Sequence, residues 1–126
     1  YEIPKRDWSS DVCSSDLEQI RGGIVQGIGG AMFEECLYSE DGQLLNGSMA
    51  DYLVPMAGEM PDMEIAHIQT PTKSSELGAK GAGEAGTAGA PGAVMNAIND
   101  ALAPLNANVT VQPFTPQRVL AALGKI

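Results

Sequence analysis

The distribution of glycine constrains this chain more than any other feature. Fifteen of its 126 residues are glycine, and most of them fall within residues 22–30 and 78–92. Glycine adopts backbone conformations that other residues avoid, and inside a helix it costs up to about 1 kcal/mol relative to alanine. Clusters of this kind therefore predict a backbone that lies close to a ligand or to another stretch of backbone.

Residues 1–17 differ from the remainder of the chain. The stretch is polar and rich in serine, and it shows neither helical nor strand periodicity. Its back-translation resembles a standard high-throughput sequencing adapter in one continuous reading frame. We therefore interpret residues 1–17 as non-native, expect them to be disordered, and take residues 18–126 as the protein proper. On this interpretation the true upstream sequence is missing and the chain is a fragment.

Composition limits the possible partners. Residues 18–126 contain five basic and twelve acidic residues, a net charge of −7. Nucleic acids and anionic membranes bind basic surfaces, so neither is expected as a partner. No apolar run is long enough to span a bilayer. Cys36 is the only cysteine after residue 17, which excludes an intrachain disulfide and favours a cytoplasmic location.

Apolar periodicity and turn signals predict an α+β fold. The expected elements are a helix over 22–38, a turn over 39–42, a strand over 63–70, a small-residue loop over 74–89, a helix beginning near Pro91 and ending before Pro104, a strand over 109–114, and a last helix from the Thr115-Pro116 cap to Leu123. Pro91 and Pro116 suit the first turn of a helix, where a missing N–H costs nothing.

The loop over residues 78–86 carries the clearest chemical signal. Gly81, Gly83 and Gly86 match the spacing of a dinucleotide-binding fingerprint. That fingerprint needs an apolar strand before the first glycine, and the preceding residues are polar, so we reject this interpretation. Glu84 is the only ionisable residue between Lys80 and Asp100. It is either a general base beside a ligand or a solvated loop side chain, and the residues alone do not decide between them.

A family resemblance favours the general base. The stretch 22–35 (GGIVQGIGGAMFEE) is similar to the glutamine–glycine helix of molybdenum hydroxylases of the xanthine dehydrogenase family. The stretch 78–86 (GAKGAGEAG) resembles their catalytic-glutamate loop, and residues 51–55 and 70–71 lie between them at family-like spacing. The resemblance covers residues 18–126, which would form the C-terminal portion of the molybdopterin-binding domain. Within the family, residues 79–81 most resemble the carbon-monoxide-dehydrogenase type of large subunit.

The resemblance implies an oxidoreductase that hydroxylates an aldehyde or heteroaromatic substrate, or oxidises CO. Glu84 would be the general base. The cofactor contacts would be Gln26, Gly27, Lys80, Gly81, Ala82 and Gly83. Molybdenum would be held by the pterin cofactor, in its cytosine dinucleotide form, and not by protein side chains. FAD and 2Fe–2S clusters would lie on partner subunits or domains, in a dimer of heterotrimers. The chain alone is expected to be inactive.

Two rival functions remain at this point: a nucleotide-binding module built on the glycine loop, and a non-catalytic acidic interaction domain. Other residues are given structural roles. His67, the only histidine, is expected to pack on a strand or lie at the surface. Cys36 is expected to be a small core residue of the first helix, and Glu34 and Glu35 its polar face.

Overall fold

A computed structural model of the chain describes residues 12–66, 68 and 70–126. Its α-helices are α1 (Val12–Met32), α2 (Ala85–Leu102) and α3 (Pro116–Ala122). Short 3₁₀ helices cover Ala57–Glu59 and Ala103–Leu105. Helices α1 and α2 pack against each other, and the segments that follow them fold around this pair.

Helix α1 begins earlier and ends earlier than the sequence predicts. It starts at Val12 and so includes part of the segment expected to be disordered, while the non-native origin of residues 1–17 stays a prediction. At its end, the backbone N–H groups of Phe33 and Glu34 both donate to the carbonyl of Gly29 at 2.9 Å. The second of these bonds spans five residues, which is typical of the C-terminal end of a helix.

The buried side chain of Asn46 explains why the helix does not continue to residue 38. Its Oδ1 accepts from Leu37 N at 2.9 Å and its Nδ2 donates to Glu35 O at 2.6 Å. These bonds give the backbone partners that compete with the helical ones. Cys36 therefore lies outside the helix and is exposed, so its predicted place in the core is wrong.

The predicted turn over 39–42 is confirmed. The N–H of Ser39 donates to Gln43 O at 2.9 Å, and that of Gly42 donates to Ser39 O at 3.0 Å. Gly42 has φ +80°, a conformation that favours glycine. The turn places Tyr38 and Leu44 opposite each other in a single antiparallel β-bridge.

Helix α2 begins at Ala85, six positions before Pro91, so the predicted loop over 74–89 ends sooner than expected. Pro91 lies inside the helix and has no N–H for the carbonyl of Thr87. That carbonyl faces α1, where it lies 3.1 Å from the position a Cβ on Gly27 would occupy. The proline thus leaves a helical carbonyl without its usual partner at the contact between the helices.

Neither predicted strand forms among residues 63–66, 68, 70 and 109–114, and the described part of the chain is helical with irregular connections. His67 lies outside the described residues. At Val109, the side chain of Asn99 takes the place of a neighbouring strand: its Nδ2 donates to Val109 O at 2.9 Å and its Oδ1 accepts from Val109 N at 2.8 Å. A strand requires a paired neighbour, and the described chain supplies none here.

Helix α3 agrees with the prediction at both ends. Thr115 caps it by accepting from Arg118 N at 3.3 Å, and Pro116 occupies the first turn. Gly124 follows with φ +64°. The guanidinium of Arg118 binds the carboxylate of Glu35, which ties the segment after α1 to α3. Glu35 is therefore an ion-pair partner and not part of a polar helix face.

The buried core is small, and apolar residues of α2 and of the α3 region pack against it. It consists of Ala31, Leu102, Ala107, Val109 and Phe114. A groove of about 730 Å³ with apolar walls opens beside these residues. Among the described residues, no helix combines the length and apolarity that a membrane crossing needs.

Candidate functional site

The candidate site lies where α1 crosses the start of α2, and glycines make the crossing close. A Cβ on Gly23 would stand 2.9 Å from the carbonyl oxygen of Gly83. A Cβ on Gly27 would stand 2.8 Å from Ala90 Cβ, and one on Gly86 only 2.6 Å from Ile24 N. Carbon atoms in contact prefer about 3.5–4.0 Å, so side chains at these positions would force the helices apart. Of the two expectations for the clustered glycines, approach to another backbone is the one that these contacts support.

Gly81 differs from these glycines because its surroundings are open. Nothing lies within 4 Å of a Cβ placed on Gly81, and Gly81 and Ala82 are both exposed. Gly83 is half-buried beneath α1. Of the small residues predicted to bind the cofactor, Gly27 is therefore buried in the helix crossing, Gly83 is half-buried, and Gly81 and Ala82 leave the backbone accessible.

Glu84 is the N-cap residue of α2. Its backbone angles, φ −100° and ψ 1°, lie in the sparsely populated bridge region where many active-site residues are found. Its carbonyl accepts from Ala88 N at 3.2 Å, whereas its side chain makes no capping hydrogen bond and is exposed. The carboxylate is thus held at the positive end of a helix and is not engaged by the helix itself.

Gln26 approaches this helix start from α1. Its Oε1 lies 3.4 Å from the hydroxyl of Thr87, in the first turn of α2, and the same hydroxyl lies 3.0 Å from the carbonyl oxygen of Gly23. Gln26 is exposed, so its amide also reaches solvent. The structure therefore brings the predicted glutamine within one helical turn of the predicted base.

Lys80 belongs to a closed loop that leads into the site. Its Nζ donates to Thr70 Oγ1 at 3.0 Å, and Thr72 N donates to Gly78 O at 3.1 Å, which joins the two arms of the loop. Gly78 has φ +67°. Lys80 is exposed, so its charge stays accessible to solvent.

Sequence reasoning missed Gln19 and Thr87. The amide nitrogen of Gln19 lies 3.5 Å from the position a Cβ on Gly83 would occupy, so this side chain rests against the glycine loop. Gln19, Gly23 and Gln26 recur at helical spacing on one face of α1, a periodicity that the sequence alone contains. Thr87 carried no such signal, because its role depends on the helix crossing.

The exposed groups of the site fit a polar, anionic cofactor. They comprise the Gln26 amide, the open backbone at Gly81 and Ala82, the Lys80 ammonium, and the N-terminus of α2. Helix N-termini and cations of this kind stabilise phosphate groups. Within the ranges that the structure describes, no group of three or more His, Cys, Asp or Glu side chains is placed to hold a metal ion.

A second polar pair lies at the other end of α1. The hydroxyl of Tyr52 donates to Glu34 Oε2 at 2.7 Å. This hydrogen bond, with smaller contributions from burial and from the charges of Glu34 and Cys36, raises the pKa of Tyr52 to about 12. Glu34 is therefore engaged in a tertiary contact beyond the end of α1, contrary to the expected place on the polar face of the helix.

Known proteins are similar to this chain in sequence and in fold. The family model of the molybdopterin cofactor-binding domain matches residues 14–61. The chain is 46% identical over 104 residues to the large subunit of nicotine 6-hydroxylase from Paenarthrobacter nicotinovorans, a match that covers 82% of the chain and 13% of the relative. It is 33% identical over 121 residues to the carbon monoxide dehydrogenase large chain of Afipia carboxidovorans, covering 91% of the chain and 15% of the relative.

The similarity extends to a solved structure. Quinoline 2-oxidoreductase from Pseudomonas putida 86 superposes with a TM-score of 0.81 at 41% sequence identity, over 86% of this chain and 14% of that one. The chain thus spans only about an eighth of the length of the first curated relatives it matches. These matches do not favour either rival function, the nucleotide-binding module or the acidic interaction domain.

Proposed function

Because the chain belongs to the molybdenum-binding subunits of the xanthine dehydrogenase family, a family of oxidoreductases, we propose that it forms one wall of a molybdopterin site and supplies the general base of an oxidative hydroxylation. The observation that supports this proposal is that Gln26 contacts the Thr87 hydroxyl in the first turn of α2, the helix whose N-cap residue is Glu84. Two separate motifs of the sequence, residues 22–35 and 78–86, thus each contribute an exposed side chain near the start of this helix.

Glu84 is the proposed base. A carboxylate suits proton abstraction when its oxygens are not occupied by structural hydrogen bonds, and the Glu84 side chain makes no capping bond. Its place at the N-cap fixes the backbone that carries it, while its exposure leaves the side chain free to reach a substrate or a bound water. The role is to accept a proton while the substrate is oxidised.

The cofactor would be held by the exposed groups of the site. Gln26 would contact it through the side-chain amide, Gly81 and Ala82 through backbone N–H groups, and Lys80 through its charge. Gly27 would act through the close helix crossing that it permits, and Gly83 through its backbone beside α1. When bound, the molybdenum cofactor supplies the two-electron oxidation. We propose the cytosine dinucleotide form, with electrons passing to 2Fe–2S clusters and FAD on partner subunits in a dimer of heterotrimers.

For the substrate, we propose a nitrogen-containing heteroaromatic compound. The relatives named for nicotine hydroxylation and quinoline oxidation are 46% and 41% identical to the chain, whereas the carbon monoxide dehydrogenase large chain is 33% identical. The carbon-monoxide type of activity that residues 79–81 suggest is therefore not preferred.

The α+β class stays a prediction for the whole domain, since residues 63–70 would need a neighbouring strand from elsewhere in the subunit.

The proposal separates catalysis from cofactor binding, and variants of the whole subunit with its partners can test that separation. We expect Glu84→Gln to lower turnover by about 10²–10⁴-fold, the usual contribution of a general base, with molybdenum content unchanged. Gln26→Ala should instead lower molybdenum and pterin content. Glu76→Gln, an exposed carboxylate before the same loop, is the matched control and should retain turnover. Near-normal turnover of Glu84→Gln would overturn the assignment of the base.

A further inference from the structure

The hydroxyl of Thr87 has two neighbouring oxygens and only one proton. It lies 3.0 Å from the carbonyl oxygen of Gly23, in a half-buried contact, and 3.4 Å from Gln26 Oε1, at the surface. A threonine hydroxyl donates a single hydrogen bond and accepts others. It cannot donate to both neighbours at once, so one of these contacts must have a different chemical character from the other.

The Thr87 hydroxyl donates its proton to the nearer oxygen, the carbonyl of Gly23. A buried hydroxyl that fails to donate is costlier than an exposed one, and the Gly23 contact is both the closer and the more buried. The carbonyl of Gly23 has a second lone pair, so it can accept from Thr87 in addition to its helical bond. The Thr87 oxygen that faces Gln26 is then an acceptor only.

An acceptor at that position requires a donor opposite it. The oxygen and nitrogen of a glutamine amide occupy nearly equivalent positions, and hydrogen bonds decide which one is where. With its nitrogen turned towards Thr87, Gln26 forms an N–H···O bond where two oxygens would otherwise repel. The contact at 3.4 Å is then an attraction from nitrogen to oxygen.

We propose that Thr87 is a positioning residue that holds the Gln26 amide with its nitrogen inward, so that the amide presents an oxygen acceptor beside one remaining N–H to the ligand. Such a donor–acceptor pair complements the edge of a neutral heterocycle, as in a pterin or a nucleobase. The opposite orientation would present both N–H groups and would suit an anionic phosphate. This inference rests on the proposed function, in which Gln26 faces the cofactor.

The orientation can be observed directly. Neutron diffraction from crystals of the whole subunit with its partners, exchanged into D₂O, shows deuterium on the amide nitrogen and on the hydroxyl oxygen. We expect the deuterated nitrogen of Gln26 to face Thr87, and the hydroxyl deuterium to lie on the line to Gly23 O. A deuterated nitrogen facing outward, or a hydroxyl deuterium directed at Gln26, would overturn the proposal.

Variants at position 87 test the consequence. Thr87→Val keeps the shape and removes the hydroxyl, so the fixed orientation of Gln26 should be lost and cofactor content should fall. Thr87→Ser keeps the hydroxyl and should restore both. A fixed, nitrogen-inward amide in Thr87→Val would refute the role of Thr87. If Thr87→Val fails to assemble, the neutron structure of the unmodified enzyme still decides the orientation.

The same data distinguish this inference from the proposed function. Loss of pterin from Gln26→Ala, together with an outward nitrogen, would leave the cofactor contact in place and remove only the orientation argued here. Full cofactor content in Gln26→Ala, together with an inward nitrogen, would instead remove the contact and leave the orientation intact.

Discussion

Replacing Gly27 by alanine should weaken the fold, whereas the same change at Gly22 should strengthen it. Both glycines lie inside α1, so each substitution gains about 1 kcal/mol of helix propensity. At Gly22 a new Cβ would have no atom within 4 Å. At Gly27 it would stand 2.8 Å from Ala90 Cβ and 3.1 and 3.2 Å from the carbonyl oxygens of Thr87 and Gly86. Backbone atoms cannot rotate away as a flexible side chain can.

The difference between the variants isolates the cost of the contact. Because the propensity gain is common to both, the free energy of unfolding of Gly27→Ala should be lower than that of Gly22→Ala by about 1–3 kcal/mol, the usual cost of overpacking. Pulse proteolysis across a urea series, at low protein concentration, measures both values on the full chain. Equal unfolding free energies for the two variants would show that α1 and α2 do not cross as closely as described.

Two further predictions concern tertiary hydrogen bonds. Asn99→Leu should lower the free energy of unfolding by about 1–3 kcal/mol, because both backbone groups of Val109 lose their partner. Asn96→Leu, at an exposed neighbouring position on α2, is the control, and equal urea midpoints for the two variants would contradict the role of Asn99. The Tyr52 phenol should ionise near pH 12 in an absorbance titration, and Glu34→Gln should lower its pKa. The stability that the Tyr52–Glu34 hydrogen bond adds is present below pH 10, the ordinary pKa of a tyrosine, and is lost as the pH rises to about 12. An unchanged titration in Glu34→Gln would assign the shift to another cause.

The elements that sequence predicted well are those fixed by neighbouring residues. Helix α3 depends on a threonine cap, a proline in the first turn and a glycine after the end, all within one short stretch. The turn over 39–42 depends likewise on its own Asp-Gly pair. Signals of this kind are local, so they hold whatever the rest of the chain does.

The errors have tertiary causes. Residues 109–114 show strand-like alternation, but Asn99, on α2, supplies the hydrogen bonds that a neighbouring strand would provide. The end of α1 is decided by Asn46, fourteen positions beyond Met32. Pro91 suggested a helix start because proline suits the first turn. The helix in fact begins six positions earlier, so Pro91 removes a bond to the carbonyl of Thr87 inside the helix.

For the site, sequence supplied the residues and the fold supplied their relation. Glu84 and Gln26 were singled out from motifs 58 positions apart. Their proximity depends on the glycines that let α1 and α2 approach each other. The glycine clusters predicted a close approach but not which segment the backbone would approach. The sequence did not predict a role for Thr87, because that role depends on two oxygens that only the fold brings near its hydroxyl.

We propose above all that Glu84 acts in the chemical step and not in holding the cofactor. The rate at which substrate reduces the enzyme, measured by rapid mixing without oxygen and at saturating substrate, isolates that step from later electron transfer. We predict that Glu84→Gln slows this reduction by about 10²–10⁴-fold, while molybdenum content stays equal to that of the unmodified enzyme. Reduction at the unmodified rate, or a slower rate explained entirely by lost molybdenum, would contradict the assignment of Glu84 as the general base.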